Sequence, residues 1–253
     1  MRRAFVMLDF NHFQVLTFDC YGTLIDWESG ILAALRPILH AHGKQLDDSA
    51  ILQLYSELEP QLQQSEFQPY GQVLKNVVRG LGKRLGFSPS DAEAASLAES
   101  LKDWRPFPDT VAALRELKTR YKLAIISNTE DAMFAETNKQ LGIAFDQIVT
   151  AQQAQAYKPS HKIFRLALKK IAVPADRILH VAQSLYHDVV PARELGLATV
   201  WVNRAASKDG SGATRRAADA QPDLEVRDLE TLARLMMREG GSAVASSHSD
   251  RSE

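Results

Sequence analysis

Short runs of apolar and β-branched residues recur along the chain, and each run ends in polar residues that lead into a helical pattern. Such an alternation of strands and helices predicts parallel strands joined by right-handed crossovers, which is a doubly wound, Rossmann-like α/β sheet. In sheets of this kind the chemistry lies at the carboxyl ends of the strands. The predicted strands cover residues 15–18, 123–126, 148–149, 178–181 and 198–202.

Residues 26–105 interrupt this rhythm, because they show only apolar spacings of three and four, which are typical of helices. Ser90, followed by Glu93 three residues later, has the spacing of a capping box that opens the fourth of these helices. We therefore predict a helical cap at 26–105, inserted into a core formed by 1–25 and 106–239. The small and polar segment 240–253 is predicted to be a disordered tail.

The composition excludes several classes of partner. The 30 basic and 31 acidic residues leave a formal charge of -1, which favours neither nucleic acid nor an anionic membrane surface as a partner. No apolar run approaches the roughly 18 residues of a membrane span, and polar residues interrupt the amino-terminal apolar stretch before it could form a signal-peptide core. The single cysteine, Cys20, suits a reducing compartment. These features predict a soluble, globular, cytoplasmic protein.

The first predicted strand runs directly into Asp19, and Gly22 and Thr23 follow within the next turn. A carboxylate in this position lies at the active edge of the sheet, although an aspartate that only caps a turn would give the same local pattern. The segment from Asp19 to Asp26 resembles the first motif of the haloacid dehalogenase superfamily, Asp-x-x-Gly-Thr-Leu-x-Asp. The helical insertion also falls where that superfamily has its mobile cap.

Three further segments resemble the remaining motifs of the superfamily, and they come in the expected order. Ser127 and Asn128 end a predicted strand, Lys158 precedes a proline and a helix, and Asp188 follows the strand at 178–181. Each of these residues alone would carry little information. Their order, each after a strand, makes coincidence improbable over the part of the chain that they span.

The resemblance implies a role for each matched residue. Asp19 would be the nucleophile that forms an ester with the substrate, which divides one difficult displacement into two easier steps. The expected catalytic residues are Asp19, Lys158, Asp188, Ser127 and Thr23, and the expected substrate-binding residues are Tyr21, Asn128 and Ser184. The neighbour of the nucleophile, Cys20, is expected to point away from the site. The resemblance also implies a homodimer.

Two departures from the superfamily's phosphatases indicate the reaction type. Phosphatases have a second aspartate where this chain has Tyr21, and a phenol with a pKa near 10 protonates a leaving alkoxide poorly. Their fourth motif has an acidic pair that holds Mg²⁺, and Gln183 replaces the first member of that pair. We therefore expect a hydrolase without metal or other cofactor, similar to the (S)-2-haloacid dehalogenases, which release halide and a 2-hydroxy acid. The alternatives are a Mg²⁺-dependent phosphatase of small molecules and a non-catalytic binding module that retains the fold.

One feature of that subgroup is missing. Its members clamp the substrate carboxylate with an arginine of the cap, and residues 54–57 here contain no arginine. A buried carboxylate without a partner would cost several kcal/mol, so we expect Asn128, Lys158 and the backbone N–H groups after Asp19 to hold it. Four arginines remain as substitutes: Arg36, Arg79, Arg84 and Arg105.

Overall fold

A computed structural model describes residues 8–64, 66–204 and 221–241. Its core is a sheet of six parallel strands, and the five predicted strands are all present. The sixth was missed, because three residues are too few to show a periodic pattern. The strands are β1 (Val15–Phe18), β2 (Lys122–Ser127), β3 (Gln147–Thr150), β4 (Ile178–Ala182), β5 (Ala198–Val202) and β6 (Leu224–Val226).

The strand order, β3-β2-β1-β4-β5-β6, confirms the doubly wound topology. The order reverses at β1, which pairs with β2 on one side and with β4 on the other, so that Phe18 lies opposite both Ile125 and Val181. The crevice outside the carboxyl ends of such neighbouring strands is where ligands bind in open α/β sheets. Asp19 follows β1 directly at this point.

The core helices pack on the sheet, which explains why all four residues of β1 and all five of β4 are buried. The last helix ends two residues later than expected, because it includes residues 240 and 241 of the predicted tail. Residues 242–253 lie outside the described part of the chain. The core helices are α5 (Thr110–Lys118), α6 (Asp131–Leu141), α7 (Ala151–Ala154), α8 (His161–Ile171), α9 (Val190–Glu194) and α10 (Leu229–Gly241).

Four helices form the insertion between β1 and β2. Their starts follow the sequence, since Asp26 and Asp47 accept hydrogen bonds from backbone N–H groups of the first turns. Ser90 and Glu93 form the predicted capping box. No helix in the described ranges is long and apolar enough to cross a membrane. The four helices are α1 (Trp27–Ala41), α2 (Asp48–Gln63), α3 (Tyr70–Leu85) and α4 (Asp91–Ser100).

The insertion meets the core where Trp104 packs on α1. An added Cβ at Gly30 would lie 2.4 Å from the Trp104 ring, which leaves no room for a side chain at this position. The same ring contacts Tyr21 edge to face, with centroids 5.8 Å apart. Gly30 and Trp104 therefore set the position of α1 relative to the loop that carries Asp19.

We predict that Gly30→Ala lowers the free energy of unfolding by about 1–3 kcal/mol, because the methyl group overpacks against a buried indole ring. In an open helix the same change would stabilise by about 1 kcal/mol. Gly71→Ala in α3 is the control, because its Cβ would come no closer than 3.2 Å to the flexible end of Met133. Urea titration of both variants measures the effect, and equal stability of the two would contradict the account.

Candidate active site

The loop after β1 holds Asp19 in a buried position at the carboxyl edge of the sheet. The Cys20 carbonyl accepts hydrogen bonds from the N–H groups of Thr23, Leu24 and Ile25, at 3.3, 2.7 and 3.1 Å. Gly22 adopts a φ of 91°, a conformation that residues with a side chain rarely adopt. The tight turn therefore directs the Asp19 carboxylate into a cleft, and the Cys20 side chain packs in the hydrophobic core, as expected.

Lys158 reaches Asp19 from the loop before α8. Its ammonium group donates to Asp19 Oδ1 at 2.7 Å, to Asp188 Oδ1 at 2.7 Å and to the Ile126 carbonyl at 3.0 Å. An ammonium has three donors, so all of them are used. Lys158 is 2% exposed, and a buried charge is tolerated only with such partners.

Asn128 fixes the backbone of Lys158 in a reciprocal arrangement. Its side-chain oxygen accepts from the Lys158 N–H at 2.7 Å, and its side-chain nitrogen donates to the Lys158 carbonyl at 3.2 Å. The same nitrogen donates to Gln63 Oε1 of the cap at 3.4 Å. Asn128 lines the cleft, and its amide also joins core and cap.

Thr23 holds the other oxygen of Asp19. Its hydroxyl donates to Asp19 Oδ2 at 2.7 Å and accepts from the Gln183 N–H at 2.9 Å. Because each Asp19 oxygen accepts one directed hydrogen bond, the carboxylate cannot rotate freely. This is the orientation that a nucleophile needs before it attacks.

Asp188 is supported by a buried histidine that the sequence analysis did not identify. His180 Nε2 donates to Asp188 Oδ1 at 3.0 Å, and its Nδ1 lies 2.8 Å from the Thr17 hydroxyl. His180 is fully buried within β4. The only signal in the sequence was a polar residue inside an apolar strand, two residues from the strand's carboxyl end.

The three buried charges shape one another's protonation. Burial raises the pKa of Asp19, and the charge of Asp188 adds to this increase while Lys158 opposes it. Burial acts in the same direction on Asp188, but Lys158 and His180 outweigh it and lower the pKa of that carboxyl. Burial opposes the charge of Lys158, and the two carboxylates overcome it and raise the pKa of the lysine. Lys158 therefore remains protonated at neutral pH.

Three other residues expected at the site also line the cleft, and they differ in whether their hydroxyl groups already have hydrogen-bond partners. The Ser127 hydroxyl is buried and has no hydrogen-bond partner among the described residues. The Ser184 hydroxyl accepts from the His187 N–H at 3.0 Å, and the Tyr21 hydroxyl lies 2.8 Å from Thr137. Ser127 therefore has a free group for a ligand, whereas Ser184 and Tyr21 already have protein partners.

The opposite wall of the cleft comes from the cap, and sequence reasoning had assigned it no site residue. The cleft has a volume of about 650 Å³, which includes its open mouth. The wall is largely aromatic. It consists of Trp27, Tyr55, Ser56, Glu59, Pro60 and Tyr70.

None of the four candidate arginines lines this cleft. Arg36 pairs with Asp48, Arg79 pairs with Asp91 and Arg84 pairs with Glu57, all on the outer side of the cap. Arg105 is exposed. The expectation that an arginine could substitute for the missing clamp is therefore wrong for these four residues.

The groups around Asp19 do not fit a Mg²⁺ site. Lys158 Nζ lies between the Asp19 and Asp188 carboxylates, where it accounts for the nearest oxygen of each. Gln183 adds no charge, and Mg²⁺ in proteins prefers charged oxygen ligands in octahedral geometry. Within the described ranges, no three His, Cys, Asp or Glu side chains form a group that could hold a metal ion.

The site therefore has a buried aspartate at the switch point of a parallel sheet, paired with a buried lysine and faced by an insertion of helices. A sequence profile of the haloacid dehalogenase-like hydrolases matches residues 13–196, and the chain belongs to this family. The profile spans every site residue of the core named above. The resemblance inferred from the four motifs is thereby confirmed.

Individual relatives agree with this assignment. The chain is 29% identical to the (S)-2-haloacid dehalogenase H-109 of Pseudomonas putida, over 85% of this chain and 93% of the relative. The L-2-haloacid dehalogenase of Xanthobacter autotrophicus shares the fold with a TM-score of 0.75 and 22% identity, over 89% and 98% of the two chains. A glyceraldehyde 3-phosphate phosphatase of Methanocaldococcus jannaschii is 32% identical, but over only 42% of this chain and 47% of its own.

We predict that His180→Phe lowers kcat about tenfold, which corresponds to about 1.4 kcal/mol of lost charge stabilisation, with little change in KM. Without the histidine the pKa of Asp188 rises. As the pH is lowered, the variant should therefore lose activity at a higher pH than the wild-type protein does. His161→Ala is the control, because that histidine pairs with Glu194 at the surface. Steady-state rates from acid to neutral pH test this, and identical profiles for the two variants would argue against a positioning role.

Proposed function

We propose that the chain hydrolyses the carbon–halogen bond of a small (S)-2-haloacid through an ester on Asp19, with release of halide and a 2-hydroxy acid. The observation that carries the proposal is the held carboxylate of Asp19, beside which Tyr21 occupies the position of the phosphatases' acid and has its hydroxyl hydrogen-bonded to Thr137. Departing halide needs no proton. The (S)-2-haloacid dehalogenases among the relatives support the same substrate class.

In the first step, one Asp19 oxygen attacks C2 of the substrate from the side opposite the halogen. A carbon–oxygen bond forms, the carbon–halogen bond breaks, and the halide leaves with the bonding electron pair, so the carbon centre is inverted. Lys158 and Thr23 hold the attacking carboxylate in line. The unpartnered Ser127 hydroxyl is the donor best placed to solvate the leaving halide.

In the second step, water attacks the carbonyl carbon of the Asp19 ester. The bond from this carbon to the substrate oxygen breaks, the 2-hydroxy acid leaves, and the carboxylate of Asp19 is restored with one oxygen from water. Of the two protons of the water, one goes to the hydroxyl of the departing 2-hydroxy acid and the other is released to solvent. Lys158 stabilises the negative charge that develops on the carbonyl oxygen. Asp188 lines the cleft and orients the water, and Tyr21, Asn128 and Ser184 shape the substrate's side of the site.

The Mg²⁺-dependent phosphatase is a weaker candidate. Its reaction needs an acid that protonates the leaving alkoxide, at the position of Tyr21. Burial raises the pKa of Tyr21 well above its usual value, and its hydroxyl bonds to Thr137. The non-catalytic binding module is weaker still, because the Asp19–Lys158 pair would be a costly feature to retain without chemistry.

We also propose that the helical insertion and the core have different roles. Helices α1–α4 act as the cap that covers the site, and the core carries the chemistry. The single buried cysteine supports a cytoplasmic location, and the likeness to this family supports a homodimer.

We predict that chloroacetate and (S)-2-chloropropionate release halide at a rate that a chelator leaves unchanged. Asp19→Asn should abolish this release, since a neutral amide cannot attack. Asp91→Asn is the control, because Asp91 is exposed and pairs with Arg79 away from the cleft. Halide and phosphate assays with and without chelator measure the outcome, and phosphate release that requires added Mg²⁺ would favour the phosphatase instead.

A further inference from the structure

The cap places a buried carboxyl group in the cleft that faces Asp19. Glu59 lies on α2, is 9% exposed and lines the same cleft as the nucleophile. Its Oε1 accepts from the Tyr70 hydroxyl at 3.4 Å and from the Gln63 side-chain amide. Among the described residues none donates to Oε2. One oxygen of Glu59 is therefore held by the cap, and the other is open to a ligand.

Within the described ranges, no cationic side chain forms an ion pair with Glu59. Lys158 is the cationic side chain that lines the cleft, and its three donors are already used by Asp19, Asp188 and a carbonyl. A further ionised carboxylate in this place would add net negative charge to a poorly solvated site. Burial accordingly raises the pKa of Glu59 to about 7, only partly offset by its hydrogen bonds to Tyr70 and Gln63.

The groups that face Glu59 from the neighbouring elements do not change this result. Tyr55 and Tyr70 contribute hydroxyl groups whose pKa values burial raises well above the usual range, and Tyr157 on the core side has a raised pKa as well. These phenols are neutral at physiological pH. The charged groups across the cleft are Asp19, Asp188 and Lys158, and the described lining also contains the ionisable side chains of Tyr21 and His187.

We propose that Glu59 is the cap residue that recognises the substrate carboxylate, which it binds as a protonated carboxyl group through an O–H···O⁻ hydrogen bond. This inference rests on the proposed function, because it takes a 2-haloacid as the substrate. Glu59 on α2 thereby takes the role of the cap arginine that is missing from residues 54–57, which is to bind the substrate carboxylate.

The chemistry follows from the behaviour of two carboxyl groups in one site. Two such groups at hydrogen-bond distance cannot both ionise, so one proton is shared between them. A hydrogen bond with an ionised acceptor is short and about twice as strong as a neutral one. The carboxylate of the substrate therefore binds directly when Glu59 is protonated. When Glu59 is ionised, binding of the carboxylate requires the uptake of one proton. Affinity for the acid should fall about tenfold per pH unit above the pKa of Glu59.

Propionate tests the inference directly, because it has the carboxylate but no leaving group. Calorimetric titration of the wild-type protein between about pH 6 and about pH 9, in buffers of different ionisation enthalpy, should show this tenfold loss per unit and the uptake of about one proton at the alkaline end. Glu59→Gln should bind propionate with a pH-independent affinity and no proton uptake. Glu57→Gln, two residues away on the same helix and paired with Arg84 outside the cleft, should behave as wild type.

Three results would overturn the inference: wild-type affinity that does not change with pH, a Glu59→Gln profile equal to that of wild type, or no binding of propionate at acid pH. The wild-type measurement decides the matter even if the Glu59 variant does not fold.

A kinetic comparison separates this inference from the proposed function. The KM for chloroacetate should rise above neutral pH, whereas the KM for the neutral chloroacetamide should stay constant. Halide release from chloroacetate with a pH-independent KM would contradict the role of Glu59 and leave the function intact. Proton-linked binding of propionate without halide release from either compound would contradict the function and leave the role of Glu59 intact.

Discussion

The contact on which the rest of the structure depends is the buried ammonium of Lys158 between Asp19 and Asp188. Two carboxylates this close would not both ionise without a cation, and an isolated buried lysine would lose its proton. Strand β1 supplies Asp19, the segment after β4 supplies Asp188, and the end of β2 supplies a carbonyl and the amide that holds the lysine backbone. The topology of the sheet brings these parts together at the point where its strand order reverses.

This arrangement explains the demands on the cap. All three donors of the Lys158 ammonium are used by the protein, so the described lining of the cleft offers no further lysine or arginine to an anionic substrate. Aromatic side chains of α1, α2 and α3 limit the access of water, which strengthens each polar contact in the cleft. A wall of this kind can bind a carboxylate only with a neutral donor or a shared proton, and Glu59 stands where such a group is needed.

The sequence predicts much of this architecture, for identifiable reasons. Buried parallel strands are apolar on both faces, so five of them appear in the sequence as continuous apolar runs. Strand β6 is too short to show such a run. Asp19, Lys158 and Asp188 follow strands or precede helices at motif spacing, so they could be named without coordinates.

Other site residues could not be found in this way. His180 is inside a strand, where a polar residue has no distinctive spacing. Glu59 lies on an amphipathic helix, and whether its side chain faces solvent or the cleft depends on how α2 packs over the core. The Ser127 hydroxyl has no hydrogen-bond partner among the described residues, whereas the Ser184 hydroxyl accepts from the His187 N–H. Both results follow from tertiary contacts that no local sequence pattern encodes.

Transfer of oxygen from water to the nucleophile tests the central claim most directly. A single turnover of (S)-2-chloropropionate in ¹⁸O-labelled water, with enzyme in excess, should place the label on the Asp19 carboxylate, as measured by mass spectrometry of the peptide that contains it. The 2-hydroxy acid from this turnover should carry unlabelled oxygen from Asp19. Label in the product and none on the peptide would mean direct attack by water, and it would contradict an account built on the Asp19–Lys158 pair.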